Sequence, residues 1–373
     1  MKITEVKDKK TAKAFLDAAR IIYKGDANWI CPLDNDIEAV FDPAKNNFHQ
    51  HGRCTRWILT DDNGKLIGRV AAFINDKKAH TYEQPTGGMG FFESINDEKA
   101  AFLLFDTAKE WLKANGMRAM DGPINFGEND NFWGLLVDGF VPPSYGMNYH
   151  HSYYKKFFDD YGFKTLYEQI TNHVDIIKPF PERFRKIAAW VAQKPGYEFR
   201  HLEASRIEKY AADFIDIYND AWQDFENFVP ITYATIMDSF RQMKPLMDEN
   251  LIWFAYVNGE PASFVIILPD ANQMIKGING KLNLIGKLKF AYQRWKGVSR
   301  MRAVVMGTKR KFQKHGLESA LFIKVGEYAL PLKQYAELEL SWVGDFNDKM
   351  IALHHTMGGV FGKKHVTMRY LFS

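Results

Sequence analysis

RWILTDDNGKLIGRVAAFI, residues 56–74, and LIWFAYVNGEPASFVIIL, residues 251–268, carry one pattern twice. Each sets an Asn-Gly pair, Asn63-Gly64 and Asn258-Gly259, between two apolar runs. Asn and Gly tolerate the positive φ of a tight hairpin turn, so both segments read as β-hairpins. The correspondence continues on either side. Upstream lie KITEV with a helix from about Thr11 to Tyr23 (Phe15, Ala18, Ala19 and Ile22 at helical spacing), and YEFRHL at Tyr197 with Ser205 as helix cap and Tyr210, Phe214, Ile217 and Tyr218 on one side. The phrases NWICPL at Asn28 and NFVPIT at Asn227 match in position. Downstream each half has a long helix (Glu98 to Ala114; Leu317 to Tyr328), a strand (RAMDGPI; QYAELELSW), another helix, a Gly-containing turn at Tyr161 or Thr356 and a last strand. The expectation is an α/β (α+β) chain of two duplicated domains, 1–180 and 181–373, each a twisted mixed sheet flanked by helices.

Composition agrees with two domains. The chain has 373 residues, more than one hydrophobic core usually serves, with 46% hydrophobic and 25% charged residues. Aromatic residues at 15% supply large side chains for cores or stacked pockets. Cys31 and Cys54 stand far from any CxxC or Cys/His cluster, which argues against a disulfide framework or a zinc site. The start MKITEVKDKKTAKAF lacks the apolar stretch of a signal peptide, and no run of about eighteen apolar residues occurs. A soluble, cytoplasmic, metal-free protein is expected.

Charge is unevenly spread. The net charge is +4, yet Ala271 to Leu317 holds twelve Lys/Arg and no Asp or Glu. The run has two parts. Ile275 to Arg300, IKGINGKLNLIGKLKFAYQRWKGVSR, places Leu284, Leu288 and Tyr292 at helical spacing among Lys281, Lys287, Lys289, Arg294 and Lys296. A basic amphipathic helix can lie on a membrane surface, cover an acyl chain, bind transfer RNA or simply be solvated. The second part is KRKFQKHGLESAL, Lys309 to Leu321, where a basic run meets a Gln-x-x-Gly turn and a helix.

The order strand, helix, hairpin, strand, helix, strand, helix, strand resembles the GCN5-related N-acetyltransferase (GNAT) superfamily, as a tandem pair of a poorly characterised subgroup. Ala303 to Gly307 matches its signature strand, Gln313-Lys314-His315-Gly316-Leu317-Glu318 its turn, and Ser319, Ala320 and Leu321 its helix. The resemblance implies acetyl-coenzyme A or another acyl-coenzyme A as co-substrate, held by Val305, Met306, Gly307, Gln313, Lys314, His315, Gly316, Leu317, Ser319 and Asn347. Its physical basis is the free backbone N–H groups and positive dipole of a helix start, which suit a pyrophosphate. Gly316 removes a Cβ, and Lys309, Arg310, Lys311 and Lys314 add positive field. Glu318 departs from the family's Gly or Ala.

Strand period puts Glu337, Glu339 and Ser341 on one face of QYAELELSW. Beside a pantetheine arm, Glu339 first and Glu337 second are candidates for the base that takes the amine's proton; an exposed polar strand face is the alternative. Asn347 matches a pantetheine contact and is equally an N-cap. His354, beside His355, stands where many family members have a tyrosine that protonates the departing thiolate, and Tyr370 is a weaker candidate. The first half has FESINDEKAAFLLF at the turn position, with Asp97 and Glu98 and no glycine, and is expected to bind no coenzyme A. It carries instead Asp121 to Phe163, where Asn125, Glu128, Asn129, Asp130 and Trp133, with Phe140 and Tyr145, can bind an amine or amino-acid-like acceptor or pack at a domain interface. Three functions compete: an acyl-coenzyme A-dependent N-acyltransferase, acetyl being the expected group; an aminoacyl transferase using charged transfer RNA, as in the cell-wall bridge-forming family; and a non-catalytic ligand-binding pair.

Overall fold

The computed structural model describes residues 1–224 and 230–372. Asn227, Phe228 and Val229 of the repeated phrase lie outside the described residues. The first half runs β1 (Lys2–Glu5), α1 (Lys9–Ile22), α2 (Asp34–Phe41), β2 (Gly52–Thr60), β3 (Leu66–Asn75), β4 (Thr86–Ser94), α3 (Glu98–Ala114), β5 (Ala119–Gly122), a short β6 (Leu135–Asp138), α4 (Tyr154–Tyr161) and β7 (Lys164–Asp175). A linker helix α5 (Glu182–Ala192) follows. The second half repeats the order: β8 (Tyr197–His201), α6 (Ile207–Trp222), α7 (Tyr233–Met243), β9 (Ile252–Val257), β10 (Glu260–Pro269), α8 (Ala271–Ile275), α9 (Leu284–Lys296), β11 (Arg300–Thr308), α10 (Leu317–Leu332), β12 (Glu337–Gly344), α11 (Asp348–Thr356) and β13 (Val360–Leu371).

Local chemistry explains the ends of these elements. Asp8 and Thr11 form a capping box at the start of α1. Asn258 (φ 51°) and Gly259 (φ 81°) take the left-handed conformation that the second hairpin needs. Ser205 does not cap α6; it lies in a tight turn, Ala204–Arg206, and no side chain caps the helix that follows.

The two halves share one 13-stranded sheet, in the order β1-β2-β3-β4-β5-β13-β7-β12-β11-β10-β9-β8, with β6 beside β13. The last strand of each half is exchanged. β13 lies antiparallel to β5 (Met368↔Gly122 to Leu371↔Ala119), β7 lies antiparallel to β12 (Glu337↔Asp175 to Leu340↔Asn172), and β7 and β13 pair at the centre. The sequence repeats near residue 180, but each half's sheet is completed by the other's strand.

Helices cover both faces in each half. Leu104, Phe105, Ala108 and Leu112 of α3 pack on one face of the first half, and Phe15 of α1 with Ile37 and Val40 of α2 on the other. In the second half α10 (Leu317, Leu321, Val325) and α5 (Phe184, Ala188, Val191) share a core on one face, while α6 and α7 cover the other. Each half adds one long insertion: residues 123–150 after β5, and 276–299, carrying α9, between β10 and β11.

Candidate active site

β11 and β12 are parallel neighbours from Arg300↔Glu337 to Ala303↔Leu340, and there their pairing stops. β11 runs on to Thr308 against β10 alone, so Val304 to Thr308 present one backbone edge to a notch between the strands. At its apex Ser341 Oγ donates to the carbonyl of Ala303 at 2.6 Å. Val305, Met306 and Gly307 border the opening as the sequence suggests; a Cβ on Gly307 would come within 2.5 Å of the Trp222 ring.

Beyond the strand lies the turn. Gly316 (φ 78°) and Lys314 (φ 67°) are both left-handed, and no side chain caps α10. Among the described residues, the N–H groups of Lys314, Gly316, Leu317, Glu318 and Ser319 have no hydrogen-bond partner. Such a cluster at the positive end of a sixteen-residue helix is an anion nest. The leucine and serine contribute only their backbone, since both side chains are buried. The His315 ring turns away to Tyr197 OH at 3.0 Å, and Gln313 reaches back toward the Thr308 carbonyl.

Two expectations about this turn are corrected. The bare Cα of Gly316 faces Ile187 and Val191 of α5, where a Cβ would stand 3.0 Å from each, so the glycine serves φ and helix packing. The basic run is largely neutralised: Lys309 bonds Asp216 (2.6 Å) and Glu260 (2.9 Å), Lys311 bonds Glu260 (2.7 Å), and Arg310 bonds Asp224 (3.1 Å). Lys314 alone of the four makes no ion pair among the described residues. Glu318 is held by the Thr308 hydroxyl at 2.7 Å, which draws its carboxylate toward the strand end.

The first half opens in the same place and fills the gap. β4 and β5 pair from Thr86↔Ala119 to Gly88↔Asp121 and then part. Into the space runs the chain after β5, with Ile124 N–H donating to the Met89 carbonyl at 2.8 Å. The strand edge carries glycines to admit it: a Cβ on Gly90 would stand 1.9 Å from the Ile124 carbonyl oxygen. The following helix, α3, is capped by Asp97, whose carboxylate accepts from Ala100 N–H at 3.0 Å. A helix start already satisfied by its own carboxylate repels a phosphate.

Where the halves join, one face of the sheet is polar. Glu339, the first-choice base, is half of a buried ion pair with Lys363, the side chains 2% and 3% exposed. Burial raises its carboxyl, but Lys363, Arg302 and Arg300 more than offset this and hold it well below its ordinary value. Buried and ion-paired, so firmly ionised a carboxylate is a weak proton acceptor. Around it the buried Gln169 Nε2, Thr171 Oγ1, His365 Nδ1 and Arg302 Nε have no partner, a concentration of unsatisfied groups that marks room for water or for a polar part of a substrate. Glu337 lies 3.5 Å from Arg300 Nε.

His354 is buried on α11 and pushed down to about 4 by burial and by His355. Both influences favour the neutral imidazole over the imidazolium expected as proton donor. Asn347 caps α11, accepting from Met350 N–H at 3.2 Å. Tyr370 packs against Tyr161 and Phe163 in the first half.

The five acceptor candidates divide between two places. Asn125 and Trp133 line a cavity of about 100 Å³ in the first half, with Asp121, Tyr82, Tyr167 and Thr367. Trp133 Nε1 donates to Tyr167 OH (2.9 Å) and Thr367 (3.1 Å), and Asp121 is paired with Arg369 (2.6 and 2.8 Å). Asn129 and Asp130 instead lean toward the second half, while Glu128 lies between them and Lys78 of the first half, with which it pairs at 3.9 Å. The Asn129 carbonyl accepts from Trp342 Nε1 of β12 at 3.2 Å, and Glu128 and Asp130 both act on the Tyr218 phenol of α6. Asp130 is open to solvent, yet burial raises its carboxyl against the pull of Arg302. The same loop is fastened further on, where Tyr145 N–H donates to Asp270 (3.0 Å) and Arg300 to the Pro142 carbonyl (3.0 Å).

Sequence reasoning missed Arg302, Lys363, His365, Gln169 and Thr171. The alternation Lys363, His365, Thr367 in the last strand was the available signal: polar residues on one face of a strand that is otherwise buried. Among the described residues no cluster of His, Cys, Asp or Glu is arranged to hold a metal ion, and no helix is long and apolar enough to cross a membrane.

No family model matches the chain. A Caulobacter vibrioides protein named bacterial ceramide synthase is 30% identical over 376 residues, spanning 98% of this chain and 96% of its own. Protein YghO of Escherichia coli is 27% identical over 354 residues, 92% of this chain and 88% of its own. Among solved structures, a tandem GNAT protein from the clavulanic acid biosynthesis pathway superposes with a TM-score of 0.61 at 13% identity, covering 99% of this chain and 98% of its own, a likeness of fold alone. With its duplicated strand order and parted strands the chain has a tandem GNAT-like fold, and a relative matched over nearly its whole length shows that it belongs to the family of the Caulobacter protein named bacterial ceramide synthase.

Proposed function

We propose that the protein is an N-acyltransferase that takes an acyl group from acyl-coenzyme A and joins it in amide linkage to the primary amine of a long-chain amino alcohol. One observation carries the reading: β11 and β12 part without a bridging ladder, with an uncapped helix start beyond one strand and the loop of the opposite half bonded to Trp342 on the other. The donor fits the residues present. Five unpartnered N–H groups and Lys314 would hold its phosphates, and the free edge of Val304 to Met306 would lie along its arm. When bound, it supplies an activated thioester carbonyl.

The chain's own residues supply the rest. The amine must shed a proton to attack, and Asp130 is the carboxylate we assign as acceptor: it lies on the loop bonded to Trp342 and its proton affinity is raised by burial, whereas that of Glu339 is held down by a lysine. Backbone N–H groups along β11 polarise the carbonyl. Lys363, Arg302 and Glu339 form the polar wall of the cleft. The acceptor class is supported by the name of the Caulobacter relative, since a ceramide is the N-acyl derivative of such an amino alcohol. A chain longer than acetyl follows from the same name.

The direct test incubates the purified protein with acyl-coenzyme A of two to eighteen carbons and either a long-chain amino alcohol or a small amine, and identifies the amide by mass spectrometry. Amide formed from the long-chain pair supports the proposal. Acetylation of the small amine alone would overturn the acceptor class. No product from any pair, with no thermal shift from acyl-coenzyme A, would overturn the whole reading.

A further inference from the structure

The segment between β10 and β11 concentrates positive charge, and α9 within it turns a continuous apolar stripe to solvent. Leu284, Ile285, Leu288, Tyr292 and Trp295 are 75%, 64%, 64%, 58% and 81% exposed. Successive helix residues turn by about 100°, so these five fall within a single arc of about 100°. The opposite side, Gly286, Phe290 and Gln293, faces the protein. Basic residues edge the apolar arc on both sides, Lys287 and Arg294 along one border and Lys289 and Lys296 along the other, with Lys281 just before the helix. None of these five forms an ion pair among the described residues; Lys289 meets only the Gly277 carbonyl, at 3.3 Å.

A solvated flank would show charge outward, and a helix waiting for a protein core would not be rimmed by cations alone. An apolar stripe with aromatic members, bordered by lysine and arginine and free of acids, is complementary to the boundary between anionic headgroups and acyl chains. We infer that α9 docks the protein on the surface of an anionic bilayer, lying in the interface with Leu284, Leu288 and Trp295 inserted and its lysines among the headgroups.

Its position gives the docking a use. The segment carrying α9 also holds Ile275 and Ile278, which pack against Ile30, Leu33 and Tyr145. Asn272, in the same segment, donates to the Pro143 carbonyl at 2.8 Å. The helix is therefore tied to the loop that lines the acceptor side of the cleft, and a docked protein would hold that cleft beside the bilayer. The inference stands on the helix alone and does not require that the acceptor be a lipid.

Sedimentation of the full-length protein with vesicles tests it. Binding to phosphatidylcholine vesicles containing phosphatidylglycerol is expected, with little binding to phosphatidylcholine alone and weakening as salt rises. Trp295→Ser with Leu288→Ser should reduce binding by about tenfold or more. Lys→Gln changes at 281, 287, 289 and 296 should each cost about fivefold. All these side chains face solvent, so an unchanged melting temperature is expected and separates docking from misfolding. No binding to anionic vesicles would overturn the inference. So would retention of transfer RNA that needs the lysines but not Trp295, or a dimer that the Trp295→Ser, Leu288→Ser variant disperses. Acylation of a water-soluble amine, if detected, should be unchanged in these variants, so failure of docking and failure of the enzymatic reading give different results.

Discussion

The two halves make the same opening and use it oppositely. In the second half β11 and β12 part after Ala303 and Leu340, and among the described residues no backbone hydrogen bond bridges the gap, the Ser341 hydroxyl reaching the Ala303 and Val304 carbonyls at its apex. In the first, β4 and β5 part after Gly88 and Asp121, and Ile124 enters and hydrogen-bonds Met89. Counted from the last rung, the open strand has Val305 where the filled one has Gly90. The helix after the open notch begins bare at Gly316, whereas the helix after the filled one is capped by Asp97. A duplicated fold thus leaves one opening unbridged and fills the other, and from the filled half the chain 123–150 reaches across to the second, where Asn129 accepts from Trp342.

That reach sets the largest effect. Asp130→Asn should lower kcat by about a hundredfold or more and remove the acidic limb of the pH–rate profile, with KM for acyl-coenzyme A little changed. An unchanged pH profile would show that the first half sends no base to the second. Next, Gly90→Val copies the open strand into the filled one and should destabilise the protein by about 3 kcal/mol, read by denaturant unfolding, because the added side chain meets the Ile124 carbonyl. Full stability in this variant would mean that residues 123–126 do not occupy the gap.

The seam between the halves gives a third test. Burial pushes His150 down to about 3 and His354 and His365 to about 4. Their folded values lie below the unfolded value, so their contribution is complete above about pH 6.5. It is lost as pH falls and only the unfolded chain takes up protons, at about 1.4 kcal/mol per pH unit for each histidine. Melting temperature should drop steeply from pH 6.5 to 4, and His365→Gln should shallow the drop; a flat profile would place these rings in solvent. Two smaller effects concern the helix starts. Lys314→Ala should raise KM for acyl-coenzyme A about fivefold while Lys99→Ala, at the start of α3, does nothing. Glu318→Gln should lower that KM about twofold, by removing a carboxylate held next to the anion nest.

Much of the fold was legible because its signals are local. Asn-Gly turns, the helix from Glu98 to Ala114 and the Gln-x-x-Gly junction each depend on a few neighbouring residues. The strand exchange was not, since nothing in β7 or β13 states which sheet it will join. The site divided on the same line. Gly316 and its turn were identified from short spacing, but the partner of Glu339 lies 24 residues away on an exchanged strand. That pairing and its burial, which strand period alone does not reveal, hold the carboxylate ionised. Asp130 was found for its polar neighbourhood, and its bearing on the second half came only from long-range packing.

The exchanged strands also bear on how the chain is made. β1 to β5 are synthesised well before β13, so the first half can form them early, but its edge at β5 awaits a strand made much later. Until then the nascent chain carries an unfinished sheet border, the kind of surface to which other chains add. Splitting the protein at the repeat boundary would leave each fragment with a strand meant for the other, so two co-expressed pieces should rebuild the molecule together where neither survives alone.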